Sequence, residues 1–169
     1  MKILSLDLST KSSGWAIFED GELKGHGCIT SASTDLIKRI QIMTEGIKKI
    51  MEDYDHVDKV IVEEVRPEGT GYGVGNLQTH RALMWLQAGI AFMLHDNFKK
   101  VDLEFIYPSS WRASIGIKTG RGVKRSTLKE KDIEFVKDKW GIEVNDDEAD
   151  AICIGFALSN EVETEINWD

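Results

Sequence analysis

Residues 2–30 read KILSLDLSTKSSGWAIFEDGELKGHGCIT, and their pattern indicates how the domain begins. Apolar runs alternate with turn residues, and the dipeptide Asp20-Gly21 is typical of a tight hairpin. The first apolar run ends in an acid, Asp7, and a turn over residues 9–14 follows it. The pattern predicts three antiparallel strands, at residues 2–8, 15–18 and 22–30.

The rest of the chain alternates between helical and strand patterns. Further strands are predicted at residues 59–65 and 103–107, and helices at residues 34–51, 76–96, 111 onward, 126–140 (capped by Ser126) and 146–160. Three antiparallel strands followed by alternating helices and strands predict an α/β domain with a mixed five-stranded sheet flanked by helices. We expect one domain over residues 1–160 and an acidic tail over residues 161–169.

Composition is ordinary for a globular protein, with 41% apolar and 30% charged residues. No apolar stretch approaches the roughly 20 residues that a membrane span requires, and the amino-terminal residues have no signal-peptide pattern. Cys28 and Cys153 lie in apolar surroundings without metal-ligand spacing, so we expect buried free thiols. These features favour a reducing, cytoplasmic compartment.

Charge is unevenly distributed along the chain. The net charge is −8, which by itself argues against a nucleic-acid partner. Residues 118–131, however, contain six basic residues and one acidic residue, a local charge of +5. Such a patch suits a polyanion, although a solvated helix start and loop would explain it too.

Four acids stand at the ends of predicted elements. Asp7 and Glu63 close apolar strands, and Asp147 and Asp150 open the last helix. A carboxylate at the end of a buried strand loses hydration, and neighbouring carboxylates repel one another. The usual compensation is a divalent cation with oxygen ligands. Asp147 and Asp150, three residues apart, share one face of the last helix and would meet acids presented from the sheet.

The chemistry that such a cluster favours is phosphodiester hydrolysis with divalent ions, for which Mg²⁺ or Mn²⁺ suits the hard oxygen ligands. Simpler explanations exist for single residues: Asp147 and Asp150 could be helix-start charges, and Asp7 could begin a turn. Adjacent strand residues point to opposite faces, so only one of Glu63 and Glu64 can face Asp7. The residues alone leave that choice open.

Three segments together resemble one family of nucleases. They are LSLDLSTKSSGWA (residues 4–16), VIVEEV (residues 60–65) and DEADA (residues 147–151), and they resemble the RuvC-type Holliday junction resolvases. The resemblance implies an RNase H-like fold and assigns the catalytic and metal-binding roles to Asp7, Glu63, Asp147 and Asp150. Glu63, rather than Glu64, takes the family's glutamate position.

The resemblance also implies a Mg²⁺-dependent homodimer that nicks two strands of a four-way junction and takes part in recombination and repair of DNA. Mn²⁺ is expected to substitute for Mg²⁺. The chain looks like a phage or prophage version, acting in the cytoplasm of a bacterial host on branched DNA before packaging. The nearly all-apolar helix Asn76–Asp96 matches the family's dimer helix.

Several basic and aromatic residues are candidates for DNA contact. Arg112, Lys118, Lys124 and Arg125 match the region where family members carry phosphate-contacting lysines, and Arg121 lies between two glycines that let the backbone approach DNA. Arg66 stands where the family has an aromatic residue, and Tyr72 could supply the missing stacking. This departure predicts broader activity on branched DNA than strict junction selectivity.

Two other functions fit parts of the pattern. Sugar-kinase and actin-like ATPases open with a similar hairpin, but they need a second such domain, for which 169 residues leave no room. A DNA-binding module without catalysis would require an incomplete set of acids. His80 on the long helix could approach the acids as a proton shuttle, although a surface histidine is the simpler interpretation.

Overall fold

A computed structural model describes residues 1–65, 74–120 and 122–161. Five strands form one sheet in the order β3-β2-β1-β4-β5. They are β1 (Lys2–Asp7), β2 (Ser12–Glu19), β3 (Glu22–Thr30), β4 (Lys59–Glu63) and β5 (Asp102–Ile106). The helices are α1 (Leu36–Asp53), α2 (Val74–Asn97), α3 (Pro108–Ser114), α4 (Arg125–Trp140) and α5 (Asp146–Glu161).

Strand directions confirm the predicted mixed sheet. β1 pairs antiparallel with β2, and β2 pairs antiparallel with β3. β1 pairs parallel with β4, which pairs parallel with β5. β1 is therefore central, and its neighbour β4 ends at the same edge of the sheet.

Several element boundaries differ from the sequence prediction, and three of them lie close to the predicted site residues. β2 begins at Ser12, inside the predicted turn, because Ser12 and Ser13 pair with β3, beyond the last pair with β1 at Gly14. β4 ends at Glu63 rather than at residue 65. The predicted cap at Ser126 is wrong: α4 begins at Arg125 after Lys124, which makes no side-chain cap hydrogen bond.

The core lies on both faces of the sheet. Leu4 and Leu6 of β1 pack with α1 and α2 on one face, whereas Ile3 packs with α5 and parts of α3 and α4 on the other. A strand buried on both faces is apolar nearly throughout, which explains the run in β1. Ser5 is the polar exception, and its hydroxyl donates to the Ala151 carbonyl at 2.7 Å.

Helix α5 lies unusually close to the sheet because small residues face it. A Cβ atom built on Gly14 of β2 would lie 1.9 Å from the carbonyl oxygen of Asp147. On Gly155 it would lie 2.5 Å from the Phe18 ring. The first contact brings the start of α5 against β2 at the level where β1 ends.

The two cysteines differ in environment. Cys153 is buried, as predicted. Cys28 is only half-buried, so its predicted full burial is wrong; it lies on the edge strand β3, where its thiol contacts the Asn145 side chain. Within the described residues, no helix is long and apolar enough to cross a membrane.

Candidate active site

Strand pairing places the four predicted acids around one end of β1. Asp7 and Glu63 are the last residues of neighbouring parallel strands, whose register pairs Leu6 with Val62. Their carboxyl ends therefore meet at the same edge of the sheet. Asp147 and Asp150 lie in the first turns of α5, which touches Gly14 directly opposite Asp7.

Burial and mutual repulsion raise the pKa values of two of these carboxyl groups. Burial, followed by the charges of Glu63 and Asp147, raises the pKa of Asp7 from 3.8 to about 7. Burial and then the Asp7 charge raise the pKa of Asp150 to about 9. Glu63, the last residue of β4, is the acid of that strand whose charge acts on Asp7, and Glu64 lines the same cleft as Asp7 and Glu63. The cluster carries more negative charge than its surroundings neutralise.

Specific donors hold two of the acids. The Trp111 indole Nε1–H donates to Glu63 Oε2 at 2.8 Å. Burial raises the pKa of Glu63, and this hydrogen bond together with the Arg112 and Arg125 charges opposes the rise. The Ser12 hydroxyl donates to Asp147 Oδ2 at 2.5 Å. Each of these two carboxylates thus has one oxygen fixed by a protein donor.

Lys129 of α4 supplies positive charge beside the cluster. Its ammonium group pairs with Asp146 and lies 3.9 Å from Asp147 Oδ1. Partial burial lowers the pKa of Lys129, but the hydrogen bond to Asp146 and the charges of Asp150, Asp146 and Asp7 outweigh it and raise that pKa. Lys129 therefore stays cationic where the excess negative charge is concentrated.

Arg112 differs from its predicted role as an exposed phosphate contact. The residue is 7% exposed. Its Nη2 atom lies 2.8 Å from Asp132 Oδ2 and 3.5 Å from Asp150 Oδ2. Direct contact with a phosphate would require these buried ion pairs to break. Arg112 therefore interacts with the acids from the protein interior.

The donor set suits a divalent cation, although the acids are not arranged around one. Within the described ranges, no three His, Cys, Asp or Glu side chains are placed to hold a metal ion. Both oxygens of Asp147 and one oxygen each of Glu63 and Asp150 are engaged by the donors described above. Asp150 Oδ1, however, is buried and without a hydrogen-bond partner, and the surplus of hard carboxylate oxygens fits Mg²⁺ or Mn²⁺.

A cleft of about 270 Å³ opens beside Asp7 and Glu63. His80 and Arg125 also line this cleft. The Nδ1 atom of His80 is buried and has no hydrogen-bond partner among the described residues. His80 is partly exposed and lines the same cleft as Asp7 and Glu63, and a proton-shuttle role for it stays a prediction.

The predicted DNA-contacting residues divide into two groups. Lys118, Lys124 and Arg125 are exposed around the segment that joins α3 to α4, and Arg125 also reaches the cleft. The predictions at Arg66, Tyr72 and Arg121 lie outside the described residues, as do those for residues 162–169 of the acidic tail.

Sequence reasoning missed four residues that contact or support the acids: Ser12, Trp111, Lys129 and Asp132. One available signal was Trp111, since a buried tryptophan needs a partner for its N–H group. Asp132 gave no such signal, because α4 carries many charged residues and only its packing shows that this one is buried.

Solved structures similar to this one include three resolvases. A Thermus thermophilus RuvC in complex with a Holliday junction substrate matches with a TM-score of 0.75 and 11% identity, covering 98% of this chain and 96% of that chain. A second Thermus thermophilus RuvC structure matches with a TM-score of 0.67 and 13% identity, over 96% of each chain.

The yeast mitochondrial Holliday junction resolvase matches with a TM-score of 0.58 and 15% identity, covering 93% of this chain and 77% of that chain. No protein-family model matches the sequence, and no curated protein matches it. The structural similarity shows an RNase H-like fold of the RuvC type along nearly the whole chain.

Proposed function

We propose that this chain is a metal-dependent endonuclease that cleaves four-way DNA junctions and other branched DNA. The observation that carries the proposal is that Asp7 and Glu63 end neighbouring parallel strands and that the start of α5, with Asp147 and Asp150, packs beside Asp7. The fold that presents them is shared, over nearly its full length, with a RuvC bound to a Holliday junction.

Asp7, Glu63, Asp147 and Asp150 would hold Mg²⁺, with Mn²⁺ as a substitute. A bound divalent cation activates water and stabilises charge on the leaving oxygen of a phosphodiester. The chain's own residues prepare the site: Trp111 orients Glu63, and Ser12 orients Asp147. Lys129 reduces the net negative charge that an approaching phosphate meets.

DNA binding would involve the basic surface beside the cleft. Lys118, Lys124 and Arg125 are exposed around the segment before α4, and Arg125 connects that surface to the acids. Such contacts position the phosphate backbone without reading sequence. Contacts by Arg66, Tyr72 and Arg121 remain part of the proposal, as does broad selectivity among branched substrates.

Two copies would assemble through α2. Among the side chains of this helix that the structure describes, four large apolar ones are exposed: Leu77 (65%), Met84 (44%), Trp85 (46%) and Phe92 (72%). Their spacing of seven or eight residues places them along one side of the helix. An exposed apolar stripe of this size is typical of a protein interface, and a two-fold dimer would set two active sites on one junction.

The biological role that we propose is debranching of phage or prophage DNA during recombination in the cytoplasm of a bacterial host. It rests on the resemblance of the three sequence segments to RuvC-type resolvases. Substrate preference is the property that bears on it most directly, because DNA that is replicating or recombining contains forks as well as four-way junctions.

Cleavage of synthetic DNA tests the proposed activity. The substrates are a four-way junction, a Y-fork and a linear duplex of the same sequence, each with Mg²⁺ or with EDTA. We expect Mg²⁺-dependent nicking of the branched substrates, and we expect Asp7→Asn to abolish it while junction binding persists. Cleavage of the linear duplex as fast as of the branched substrates, or normal cleavage by Asp7→Asn, would contradict the proposal.

A further inference from the structure

Asp132 is a buried acid that none of the assigned roles explains. It lies on α4 with 0% exposure, and it is not one of the four acids of the cluster. A buried carboxylate is costly unless it is paired and hydrogen-bonded. The Arg112 guanidinium provides that pairing in a forked geometry, with Nε at 3.1 Å and Nη2 at 2.8 Å from Asp132 Oδ2.

Arg112 connects Asp132 to two acids of the cluster. Its Nη2 atom lies 3.5 Å from Asp150 Oδ2. Its guanidinium carbon lies 4.0 Å from the centre of the Trp111 ring, and the Trp111 indole donates to Glu63. One guanidinium therefore contacts Asp150 on α5 directly and reaches Glu63 on β4 through the tryptophan.

This arrangement is poorly explained by stability alone. A buried ion pair gains little over well-packed apolar residues of the same volume, because desolvation offsets the attraction. A forked and stacked arginine, in contrast, has a fixed orientation that lysine cannot reproduce. The network holds Asp150 Oδ2 while Asp150 Oδ1 stays buried without a hydrogen-bond donor, and a hydrogen bond between the Asp132 and Asp150 carboxyl groups links the two acids directly.

We propose that Asp132 is a positioning residue: it fixes Arg112, which in turn sets the orientation of Asp150 and, through Trp111, of Glu63. The inference rests on the proposed nuclease function, because it assigns Asp132 a role in preparing that site for its divalent cation. Residues that orient metal ligands in this way typically change metal affinity or activity by about 10–100-fold when replaced.

The test compares Asp132→Asn with the wild-type chain and with a matched control. Asp132→Asn keeps the size of the side chain and removes its charge. Glu104→Gln is the control, because it removes a partly buried ion pair, Lys59–Glu104 at 2.9 Å, that joins β4 to β5 without being one of the ion pairs of the acid cluster. Three quantities are measured: Mn²⁺ affinity by titration calorimetry, the Mn²⁺ dependence of junction nicking, and junction affinity in EDTA.

We expect Asp132→Asn to weaken Mn²⁺ binding about 10-fold or more and to move the half-saturating Mn²⁺ concentration for nicking in parallel. Junction affinity in EDTA should stay within about two-fold of the wild type, and Glu104→Gln should match the wild type throughout. Wild-type Mn²⁺ affinity in Asp132→Asn would overturn the proposal, and so would an equal loss in Glu104→Gln.

Two further variants keep the proposal testable if Asp132→Asn fails to fold. Arg112→Lys keeps the charge without the fork, and Trp111→Phe keeps the ring without the N–H donor. Both should weaken Mn²⁺ binding, and normal binding in both would overturn the proposal. A wild-type chain that binds Mn²⁺ but cuts no branched DNA would contradict the nuclease function instead, which separates the two failures.

Discussion

At the residue scale, Asp7 links the stability of the protein to pH. Its pKa of about 7 lies above the ordinary 3.8, so the folded state favours the protonated carboxyl group. The stability that this group contributes is fully present below about pH 4 and is lost as pH rises through about 7. Asp150, with a pKa of about 9, extends the loss to more alkaline solution.

We therefore predict that the metal-free protein melts at a lower temperature at pH 8.5 than at pH 5, and that Asp7→Asn reduces this difference. At pH 8.5 in EDTA the variant should melt roughly 2–8 °C above the wild type, which corresponds to about 1–2 kcal/mol in a chain of this size. Millimolar Mg²⁺ should raise the wild-type melting temperature at pH 8.5 and have less effect on Asp7→Asn.

Asp53→Asn is the matched control for this measurement. Asp53 is an exposed acid on α1, where it pairs with Lys49. An exposed pair contributes little to stability, so this variant should keep the pH dependence of the wild type. If Asp7→Asn also kept the wild-type pH dependence of the melting temperature, repulsion among the acids would not limit the stability of the fold.

The candidate site illustrates what single residues reveal in a sequence. Asp7 and Glu63 were predictable because each ends an apolar strand, where an acid is costly without compensation. Trp111 and Ser12 were not, because their partners are 48 and 135 residues away in the chain. The sequence indicates that a buried donor needs an acceptor, but only the packing of α3 and α5 on the sheet decides which one.

At the element scale, the close packing of α5 on the sheet predicts opposite effects for two helical glycines. A Cβ atom at Gly155 would lie 2.5 Å from the Phe18 ring and 2.6 Å from Ser5 Oγ, whereas at Gly89 of α2 the nearest atom would be Thr44 Oγ1 at 3.5 Å. Overpacking costs about 1–3 kcal/mol. Alanine gains only about 0.5–1 kcal/mol over glycine inside a helix.

We expect Gly155→Ala to lower the melting temperature by roughly 2–8 °C and Gly89→Ala to raise it by roughly 1–4 °C, measured by thermal unfolding in the same buffer. Each variant serves as the control for the other, since both make the same chemical change in a helix. A stabilising Gly155→Ala would mean that α5 can move away from β2 and β1 at little cost.

Element boundaries were the least predictable part of the fold. The hairpin dipeptide Asp20-Gly21 fixed the β2–β3 turn, because its two residues have φ angles of 51° and 80°. The start of β2 was misplaced because Ser12 and Ser13 have the composition of a turn, while pairing with Thr30 and Ile29 of β3 extends the strand through them. Tertiary pairing overrode local preference there.

At the scale of the whole molecule, the uneven charge predicts a salt-dependent interaction with DNA. Lys118 and Lys124 belong to the +5 segment of a chain with net charge −8. Replacing both with glutamine should weaken junction binding similarly for all sequences. The slope of log affinity against log salt should fall by about 1 for each DNA phosphate that the variant no longer neutralises. Affinities measured between 50 and 200 mM salt provide the slope.

Lys49→Gln controls for the loss of positive charge as such. Lys49 is a 73% exposed side chain on α1, which packs on the face of the sheet opposite α5. Its removal should leave the slope unchanged. A wild-type slope in the Lys118/Lys124 double variant would assign DNA binding to another part of the surface.

Assembly is the second property of the whole molecule, and Phe92 of α2 tests it. This side chain is 72% exposed, so Phe92→Asp should cost the isolated fold little while placing two charges against each other in a two-fold α2 interface. We expect the wild-type chain to sediment at twice its mass of 19.0 kDa and the variant to sediment as a monomer. Ile37→Asp, at a 54% exposed position on α1, should stay dimeric.

A plasmid with an extruded cruciform connects assembly to cleavage. Two active sites held on one junction cut opposing strands during a single binding event and give linear DNA, whereas one site gives a nicked circle. The wild-type chain should therefore produce linear plasmid, and Phe92→Asp should produce nicked circles at a reduced rate. Linear product from a monomeric Phe92→Asp would show that paired cutting does not depend on the α2 interface. A monomeric wild-type chain would mean that the exposed apolar side of α2 is not a dimer interface.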